Sequence, residues 1–441
     1  MLTLDPEELR RLGHRVVDAL VDHLEHGGDE PPLQTRSPEE LRAAIGGPPP
    51  DGPGDPDDAL DTLLEHVLPY MQHGDHPRFF ARVPSPSNAV SVLGDVLATS
   101  FNAIATSWVG ASGPAAVELA VLDWLRDWTG LPAGTEGILV SGGSVGSLTA
   151  LAAAREALPA GAVALCSDQT HASVKRALRL LGVETRVLET DAAFRLRVDD
   201  VAAHDGPAIL IATAGTTNTG AVDPLGELAS LSAERGWWLH VDGAYGAPAV
   251  LTERGRAALH GIARADSLVL DPHKWLFQPI ETGAVLVRRA GALQHTFAMF
   301  PEYLRDTGAG GETEVAFRDR GPQLTRGSRA LKLWLSLHVF GLDAFRAAID
   351  RGIDIAERAQ ELIEATPGFE IVTPAQLGIV TFRVPGDPDA VADRVTADGY
   401  AAPSTTVLRG ETVLRLCTIN PRTTDAELEE TVRRIAAAAA P

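Results

Sequence analysis

The chain has 441 residues with 38 basic and 59 acidic side chains, so its formal net charge is −21. This length predicts roughly two or three domains, and a hydrophobic content of 45% supports a large core, which excludes a globally disordered chain. The acidic excess argues against nucleic acid or an anionic membrane as a partner, and two cysteines are too few for a disulfide framework or a cysteine-rich metal site, so we predict no metal.

The N-terminus predicts helices rather than a targeting segment. Asp5-Pro6-Glu7-Glu8 is an N-cap with proline and acidic residues in the first turn, and the helix that it starts ends at Gly27-Gly28. Ser37-Pro38-Glu39-Glu40 starts a short second helix, residues 46–58 are typical of a linker, and a third helix follows from about residue 58 to 68. No apolar signal core or membrane-length apolar run occurs, so we expect a cytoplasmic protein.

Residues 87–331 alternate short apolar runs with helical segments, a pattern that predicts an α/β domain with a mostly parallel sheet. The seven predicted strands are residues 137–141, 162–166, 185–188, 208–212, 238–242, 267–271 and 284–287.

Residues 332–441 open with a long helix and predict a small α+β domain. Its strand-like segments are 369–372, 379–384 and 413–417, and its alanine-rich tail has helical composition. The sequence thus divides into a helical segment at 1–86, a large domain at 87–331 and a small domain at 332–441. Because the helices of the first segment are short and have little core of their own, we expect them to pack on another surface, such as a second subunit.

Lysine is rare in this chain, with only Lys175, Lys274 and Lys332. Arginine cannot form a Schiff base, so each lysine is a candidate for amine chemistry. Lys175 and Lys332 lie in helical segments and are typical of surface or ion-pair lysines. Lys274 follows an apolar strand in DPHKW, where a desolvated amine can attack an aldehyde. The alternative for Lys274 is an ordinary lysine at a strand end.

Other strands also end in polar or glycine-rich motifs, and each motif has two interpretations. Gly142-Gly143-Ser144 either exposes N–H groups to a phosphate at a helix N-terminus or makes a tight turn. Asp242 either faces a ligand at the edge of the sheet or caps the next helix. His171 and Thr217 are either polar turn residues or cofactor contacts, His171 by stacking its ring. Together these motifs fit pyridoxal 5′-phosphate (PLP), which needs a phosphate site, a carboxylate for its ring nitrogen and a lysine for its aldehyde.

These motifs resemble those of the group II pyridoxal-phosphate-dependent amino-acid decarboxylases, especially the aromatic-L-amino-acid decarboxylase branch. The resemblance covers nearly the whole chain, and HVDxAY followed by PHKW is highly specific. It rests on HPRFFA (76–81), DWL (123–125), SDQTHASV (167–174), AGTTNTG (214–220), WLHVDGAYG (238–246) and DPHKWLF (271–277). It implies a PLP fold-type-I, aspartate-aminotransferase-like large domain, in a homodimer whose active sites lie at the subunit interface.

The resemblance also implies roles for the residues at the strand ends. Lys274 matches the Schiff-base lysine, Asp242 the partner of the pyridine nitrogen, and His171 and Ala244 the residues on the two faces of the ring. The other implied cofactor-binding positions are Gly143, Ser144, Thr217, Asp271 and His273. Asp271 stands on the phosphate side, where animal members commonly carry asparagine.

The resemblance implies decarboxylation of an amino acid. The substrate amine displaces Lys274 from PLP, the carboxylate leaves as CO₂, and protonation of Cα gives the amine. Residues 303–325 match a lid over the neighbouring subunit's site, and Tyr303 matches a tyrosine that assists Cα protonation. Members with phenylalanine at that position tend to form aldehyde, ammonia and peroxide. Tyr303 and His171 together therefore favour plain decarboxylation.

The substrate-binding candidates also come from the resemblance. They are Arg82, Val83, Pro84, Ile104, Trp108 and Arg326. Aromatic-specific members commonly carry an aromatic residue at position 82 or 83, so Arg82 either points to solvent or meets an acidic substrate. Trp108 is also typical of core packing.

The leading hypothesis from the sequence is decarboxylation of an aromatic L-amino acid such as tryptophan, phenylalanine, tyrosine or DOPA. One alternative is oxidative decarboxylation to an aldehyde. A second is decarboxylation of an acidic or aliphatic amino acid with Arg82 as the anchor. A third hypothesis, a cofactor-binding regulator without enzyme activity, is opposed by the acidic charge and the lack of a basic DNA-binding segment.

Overall fold

The computed structural model of the chain describes residues 2–299 and 314–440. Its helices are α1 (Pro6–His26), α2 (Pro38–Ile45), α3 (Pro56–His66), α4 (Ala89–Ser100), α5 (Trp108–Thr129), α6 (Gly143–Ala157), α7 (Ala172–Leu181), α8 (Val198–Ala202), α9 (Leu225–Arg235), α10 (Glu253–Ala258), α11 (Ala292–Phe297), α12 (Ala330–Glu364), α13 (Pro388–Ala397) and α14 (Asp425–Ala439). Its strands are β1 (Glu136–Val140), β2 (Val163–Ser167), β3 (Thr185–Leu188), β4 (Ala208–Thr213), β5 (Trp238–Asp242), β6 (Ser267–Leu270), β7 (Gly283–Val287), β8 (Glu370–Gln376), β9 (Ile379–Arg383), β10 (Ser404–Leu408) and β11 (Glu411–Cys417).

Side-chain caps start the N-terminal helices where the sequence predicts them. The Asp5 carboxylate accepts the N–H of Glu7 at 2.9 Å at the start of α1. Ser37 and Glu40 form a reciprocal capping box at the start of α2. Helix α3 begins at Pro56, slightly before its predicted start, because Asp55 rather than Asp58 provides the cap.

The first seven strands form one sheet in the order β1-β7-β6-β5-β4-β2-β3. The strands from β6 to β3 in this order run parallel to one another. Strand β7 runs antiparallel to both β6 and β1. Every residue of β4 and of β5 is buried, as expected for strands that helices cover on both faces. These pairings confirm the predicted α/β fold with a mostly parallel seven-stranded sheet.

A second, antiparallel sheet has the order β10-β11-β9-β8 and forms the C-terminal α+β unit with α13 and α14. The N-terminal segment joins this unit. Phe80 is buried in its core, donates its N–H to Ala402 at 2.9 Å and accepts the N–H of Cys417 at 2.9 Å. Phe80, which follows the N-terminal helices, therefore anchors the end of this segment on the small sheet, whereas α1 buries only Leu12 and leaves Leu9, Val16, Val17 and Val21 exposed.

Helix α12 connects the two sheets. It packs on α4 at one end and on β8 further along, and a break at Gly341, where φ is 75°, changes its direction. Lys332, near its start, is buried and pairs with Asp95 of α4 at 2.7 Å, so the predicted ion-pair role of this lysine is confirmed. The predicted domain boundary between residues 331 and 332 falls inside α12, and the division into three parts stays a prediction. Among the described residues, no helix is both long and apolar enough to cross a bilayer.

Candidate active site

The carboxyl ends of the parallel strands open on a cavity of about 350 Å³. Strand β1 points the same way as β6, since β7 is antiparallel to both, so the turn after β1 reaches this edge as well. All the predicted cofactor-binding residues line the cavity, namely Gly143, Ser144, His171, Thr217, Asp242, Ala244, Asp271, His273 and Lys274. The structure therefore gathers side chains that are distant in sequence at the edge where parallel sheets bind ligands.

Lys274 lies in a turn just after β6 and points its amine into the cavity. Its Nζ is 2.9 Å from Oδ2 of Asp271, and its N–H donates to the Asp271 carbonyl at 2.9 Å. Asp271 is only 1% exposed and donates its own N–H to the carbonyl of Ala244 at 3.1 Å. The main chain of Asp271 is thus fixed next to Ala244, and its carboxylate orients the amine. The second carboxylate oxygen, Oδ1, is buried and has no hydrogen-bond partner among the described residues.

The glycine-rich turn before α6 packs closely against neighbouring residues and leaves the N-terminus of α6 facing the cavity. Helix α6 starts at Gly143, and no side chain caps it. A Cβ added to Gly143 would lie 3.1 Å from the Ala244 Cβ and 3.1 Å from Asp271 Oδ2, and a Cβ added to Gly142 would lie 2.9 Å from His273 Cε1. Only glycine leaves this space open. The N–H groups at the start of α6 can therefore reach an anion in the cavity.

Asp242 ends β5 and is 6% exposed. Its Oδ1 accepts the N–H of Ala244 at 3.1 Å, which holds the carboxylate at the cavity wall. The next helical turn begins after Gly246 and has no side-chain cap, so the interpretation of Asp242 as a helix cap is wrong. The carboxylate instead faces the same cavity as Lys274.

His171 precedes α7 and lines the cavity on the side of β2. Its Nδ1 lies 2.7 Å from Oγ of Ser173 and accepts the Ser173 N–H at 3.3 Å. Desolvation is the main cause that lowers the pKa of this imidazole below its usual value, with Lys274 and Arg176 adding to the effect and Asp242 opposing it. The ring is therefore held in a defined orientation and favours its neutral form.

This set of groups fits the chemistry of PLP. An uncapped helix N-terminus suits a phosphate, the Lys274 amine suits an aldehyde, and the Asp242 carboxylate suits a protonated ring nitrogen. The unpartnered Oδ1 of Asp271 is a buried acceptor that a bound group can satisfy.

A larger cavity of about 740 Å³ adjoins the first and shares His171, Thr217 and Lys274 with it. Two predicted substrate-binding residues, Arg82 and Val83, line this second cavity. The Arg82 backbone lies in the left-handed region at φ 51°, and its exposed side chain donates to Gln72. The second cavity therefore has the position of a substrate pocket next to the amine.

Sequence reasoning missed a buried charged residue that lines the second cavity. Arg415 of β11 is 2% exposed, donates from Nε to the Thr217 carbonyl at 2.7 Å and donates from Nη1 to the Arg82 carbonyl. Its Nη2 is buried and has no hydrogen-bond partner within residues 2–299 and 314–440. The signal was present, because Arg415 interrupts an otherwise apolar strand, and a buried arginine needs partners.

Four predicted substrate-binding residues do not line either cavity. Arg326 is fully buried and pairs through both Nη atoms with Glu118 at 2.8 Å, so its predicted contact with substrate is replaced by a structural ion pair. Trp108 packs against the core, as its alternative interpretation predicts. Ile104 is 41% exposed on the surface, and Pro84 is buried next to Val83.

Two further sequence predictions concern Tyr303 and Lys175. Tyr303 and the glycine-rich stretch after it lie outside the described residues. Lys175 is half-buried on α7, donates to the Asp168 carbonyl at 3.3 Å and lines neither cavity.

Comparison with known proteins extends over nearly the whole chain. Residues 38–385 match the pyridoxal-dependent decarboxylase conserved domain. An aromatic-L-amino-acid decarboxylase of Bacillus atrophaeus is 44% identical, over 99% of this chain and 97% of that protein. A phenylacetaldehyde synthase of Arabidopsis thaliana is 30% identical, over 97% of this chain and 93% of that protein. Catharanthus roseus tryptophan decarboxylase, crystallised in complex with L-tryptophan, has a similar structure with a TM-score of 0.90 at 29% identity, over 100% of this chain and 99% of that chain.

Proposed function

The chain belongs to the pyridoxal-dependent decarboxylase family, and from this premise we propose that it converts an aromatic L-amino acid into the corresponding amine and CO₂. It is a PLP-dependent carboxy-lyase. The observation that carries the proposal is the single cavity in which Lys274, Asp242 and His171 meet the free N-terminus of α6. The similarity to an aromatic decarboxylase at 44% identity supports the aromatic class of substrate.

In the proposed mechanism, bound PLP supplies an aldehyde for the substrate amine and a ring that accepts the electron pair left by CO₂. Asp271 holds the Lys274 amine at 2.9 Å, ready to bond with the aldehyde. With PLP bound, the carboxylate of Asp242 would keep a proton on the ring nitrogen, and His171 and Ala244 would hold the ring from its two faces. Thr217 and His273 complete the walls.

The remaining steps belong to the substrate side of the cavity. We assign the side chain of the substrate to the larger cavity, near Arg82 and Val83. Tyr303 is proposed to assist protonation of Cα, which ends the reaction at the amine. A residue that delivers this proton quickly would favour plain decarboxylation over aldehyde formation.

We also propose a homodimer with the active sites at the subunit interface. Large apolar side chains are exposed on and around α4, where they add no stability to a single chain because they stay in contact with water. The most exposed are Val96 at 51%, Phe101 at 81% and Val109 at 62%. Ile104 lies in the same stretch, so a second subunit would cover it and bring it towards a site.

One experiment tests the proposed reaction. Purified protein loaded with PLP is incubated with the twenty L-amino acids, DOPA and 5-hydroxytryptophan, and mass spectrometry identifies the products while peroxide is measured in the same tube. We expect an aromatic amine without peroxide. Aldehyde with peroxide would support the second candidate, which the similarity to a phenylacetaldehyde synthase favours, and an amine from an acidic or aliphatic substrate would point to Arg82 as the anchor.

The lysines provide the matched variants. Lys274→Ala is expected to remove both the visible absorbance of lysine-bound PLP and all turnover, because no other amine lines the cavity in the described residues. Lys175→Ala removes a half-buried lysine that lines neither cavity, and it is expected to keep both. Turnover in Lys274→Ala at the level of Lys175→Ala would refute the role of Lys274.

A further inference from the structure

His171 occupies an unusual position for a histidine, because its ring is the N-cap of α7. Serine, threonine, aspartate and asparagine are the common N-caps, since each offers a side-chain oxygen to the free N–H groups of the first turn. Here Nδ1 of the imidazole takes that place and accepts the N–H of Ser173 at 3.3 Å. The same ring lines both cavities next to Lys274.

Two groups of Ser173 act on where the imidazole carries its proton. The backbone N–H can only donate, so its 3.3 Å contact favours an Nδ1 that presents its lone pair, and alanine at this position would keep that contact. The Ser173 hydroxyl lies 2.7 Å from the same nitrogen and can donate to it as well. In the neutral ring the proton must then reside on Nε2, at the edge of the ring that Ser173 does not contact.

The surrounding charges act on the same ring from several elements. The positive end of the α7 dipole disfavours an imidazolium at the N-cap. Lys274 after β6 and Arg176 on α7 disfavour it too, whereas Asp242 of β5 and Asp271 favour it. Desolvation is the largest contribution, and the net result is a lowered pKa for His171.

We propose that Ser173 is a positioning residue that fixes His171 as the neutral imidazole with its proton on Nε2. His171 then presents a neutral Nε2–H hydrogen-bond donor to the cavity, and not an imidazolium that acts as a general acid. This inference rests on the proposed function and deepens it, since it means that the proton added to Cα comes from a group other than His171.

The first test uses cofactor-free protein, so that it does not depend on turnover. NMR of isotope-labelled histidine nitrogens distinguishes the two neutral tautomers and the imidazolium, and the difference spectrum of His171→Gln identifies the signal among the 13 histidines. We expect wild-type His171 to carry its proton on Nε2 at neutral pH. A protonated Nδ1, or an imidazolium at neutral pH, would overturn the proposal.

The second test changes Ser173. In Ser173→Ala the 2.7 Å bond to Nδ1 is lost, so the pKa of His171 should rise by about half a unit or more and the Nδ1–H tautomer should become detectable. Ser173→Thr retains the hydroxyl and should restore the wild-type spectrum. Ser230→Ala removes a surface hydroxyl of α9 that bonds the Gly226 carbonyl, and is the control for serine loss.

The holoenzyme gives a separate readout. With an aromatic substrate, the acid limb of the pH profile of kcat should move upward in Ser173→Ala by the same amount as the pKa of His171. Identical His171 spectra in Ser173→Ala and wild type would refute the role of Ser173. A wild-type enzyme without decarboxylase activity would instead contradict the proposed function, while the spectra of the cofactor-free protein would still decide the tautomer.

Discussion

His240 shows how a single buried side chain can limit stability in acid. The residue lies in the centre of β5 with no solvent exposure, and its Nδ1 is 2.9 Å from Ser267 Oγ. Trp238 donates its Nε1–H to the same oxygen at 2.8 Å, so the hydroxyl proton is free to point at Nδ1. Burial lowers the pKa of His240 to about 4, and the nearby Asp242 opposes this shift. The ring is therefore neutral in the folded protein.

The lowered pKa predicts a loss of stability as the pH falls. The unfolded chain binds a proton at His240 near the usual pKa of 6.5, whereas the folded chain binds it only near pH 4, so protons favour unfolding between these values. The linkage amounts to about 3 kcal/mol across this window. Urea unfolding of wild type and His240→Leu at several pH values between 7 and 4 measures it. We expect the variant to lose less stability on acidification, and equal losses would contradict the assignment.

At the scale of elements, the crossing of α4 and α12 depends on Gly94. A Cβ on Gly94 would lie 2.6 Å from Cα of Lys332, a contact with backbone that no side-chain rotation can relieve. Next to this crossing Lys332 donates to Asp95 at 2.7 Å and to the Pro279 carbonyl at 3.0 Å, which connects the helix pair to the segment beside the cavity. The close approach of two helices therefore supports one wall of the site.

Gly94→Ala should accordingly separate α4 from α12. We expect a loss of about 1–3 kcal/mol in the free energy of unfolding, as for other overpacked contacts, together with weaker PLP binding. Gly13→Ala in α1 is the matched control, because a Cβ there has nothing within 4 Å. Since alanine favours the helix, this control should gain up to about 1 kcal/mol. Urea unfolding and a PLP titration measure both effects, and a Gly94→Ala protein as stable as wild type would contradict the packing argument.

The elements that the sequence predicted well are those with strong local signals. The capped starts of α1 and α2 and the buried strand β5 have the predicted positions because caps and largely apolar runs act locally. Strand β10 was missed, since it is a half-exposed edge strand with the polar sequence STTVL. The break of α12 at Gly341 was also missed. A single glycine does not by itself end a helix, and the bend is needed here because α12 packs on α4 at one end and on β8 further along.

At the scale of the whole molecule, the cofactor cavity was predictable because parallel strands place their carboxyl ends at one edge. That rule alone brings Asp242, Asp271 and Lys274 together. The substrate side was less predictable, because it depends on how the small sheet docks. Arg415 reaches the Thr217 carbonyl only because the small sheet docks at this place. Arg326 matches a family position, yet its guanidinium forms a buried ion pair with Glu118. The apolar residues around Arg415 indicate that it is buried, but the partners of Arg415 and of Arg326 do not follow from a local pattern.

Subunit association is the remaining property of the whole molecule, and the exposed apolar side chains around α4 predict it. Phe101 is 81% exposed directly after α4, so a charge at this position should prevent a second subunit from covering it. We expect light scattering to give twice the chain mass for wild type and the single chain mass for Phe101→Glu. Decarboxylation should fall with dissociation if the sites need both subunits. Leu180→Glu alters a 67% exposed leucine on α7 and should leave a dimer. A dimeric, fully active Phe101→Glu protein would show that this surface is not the interface.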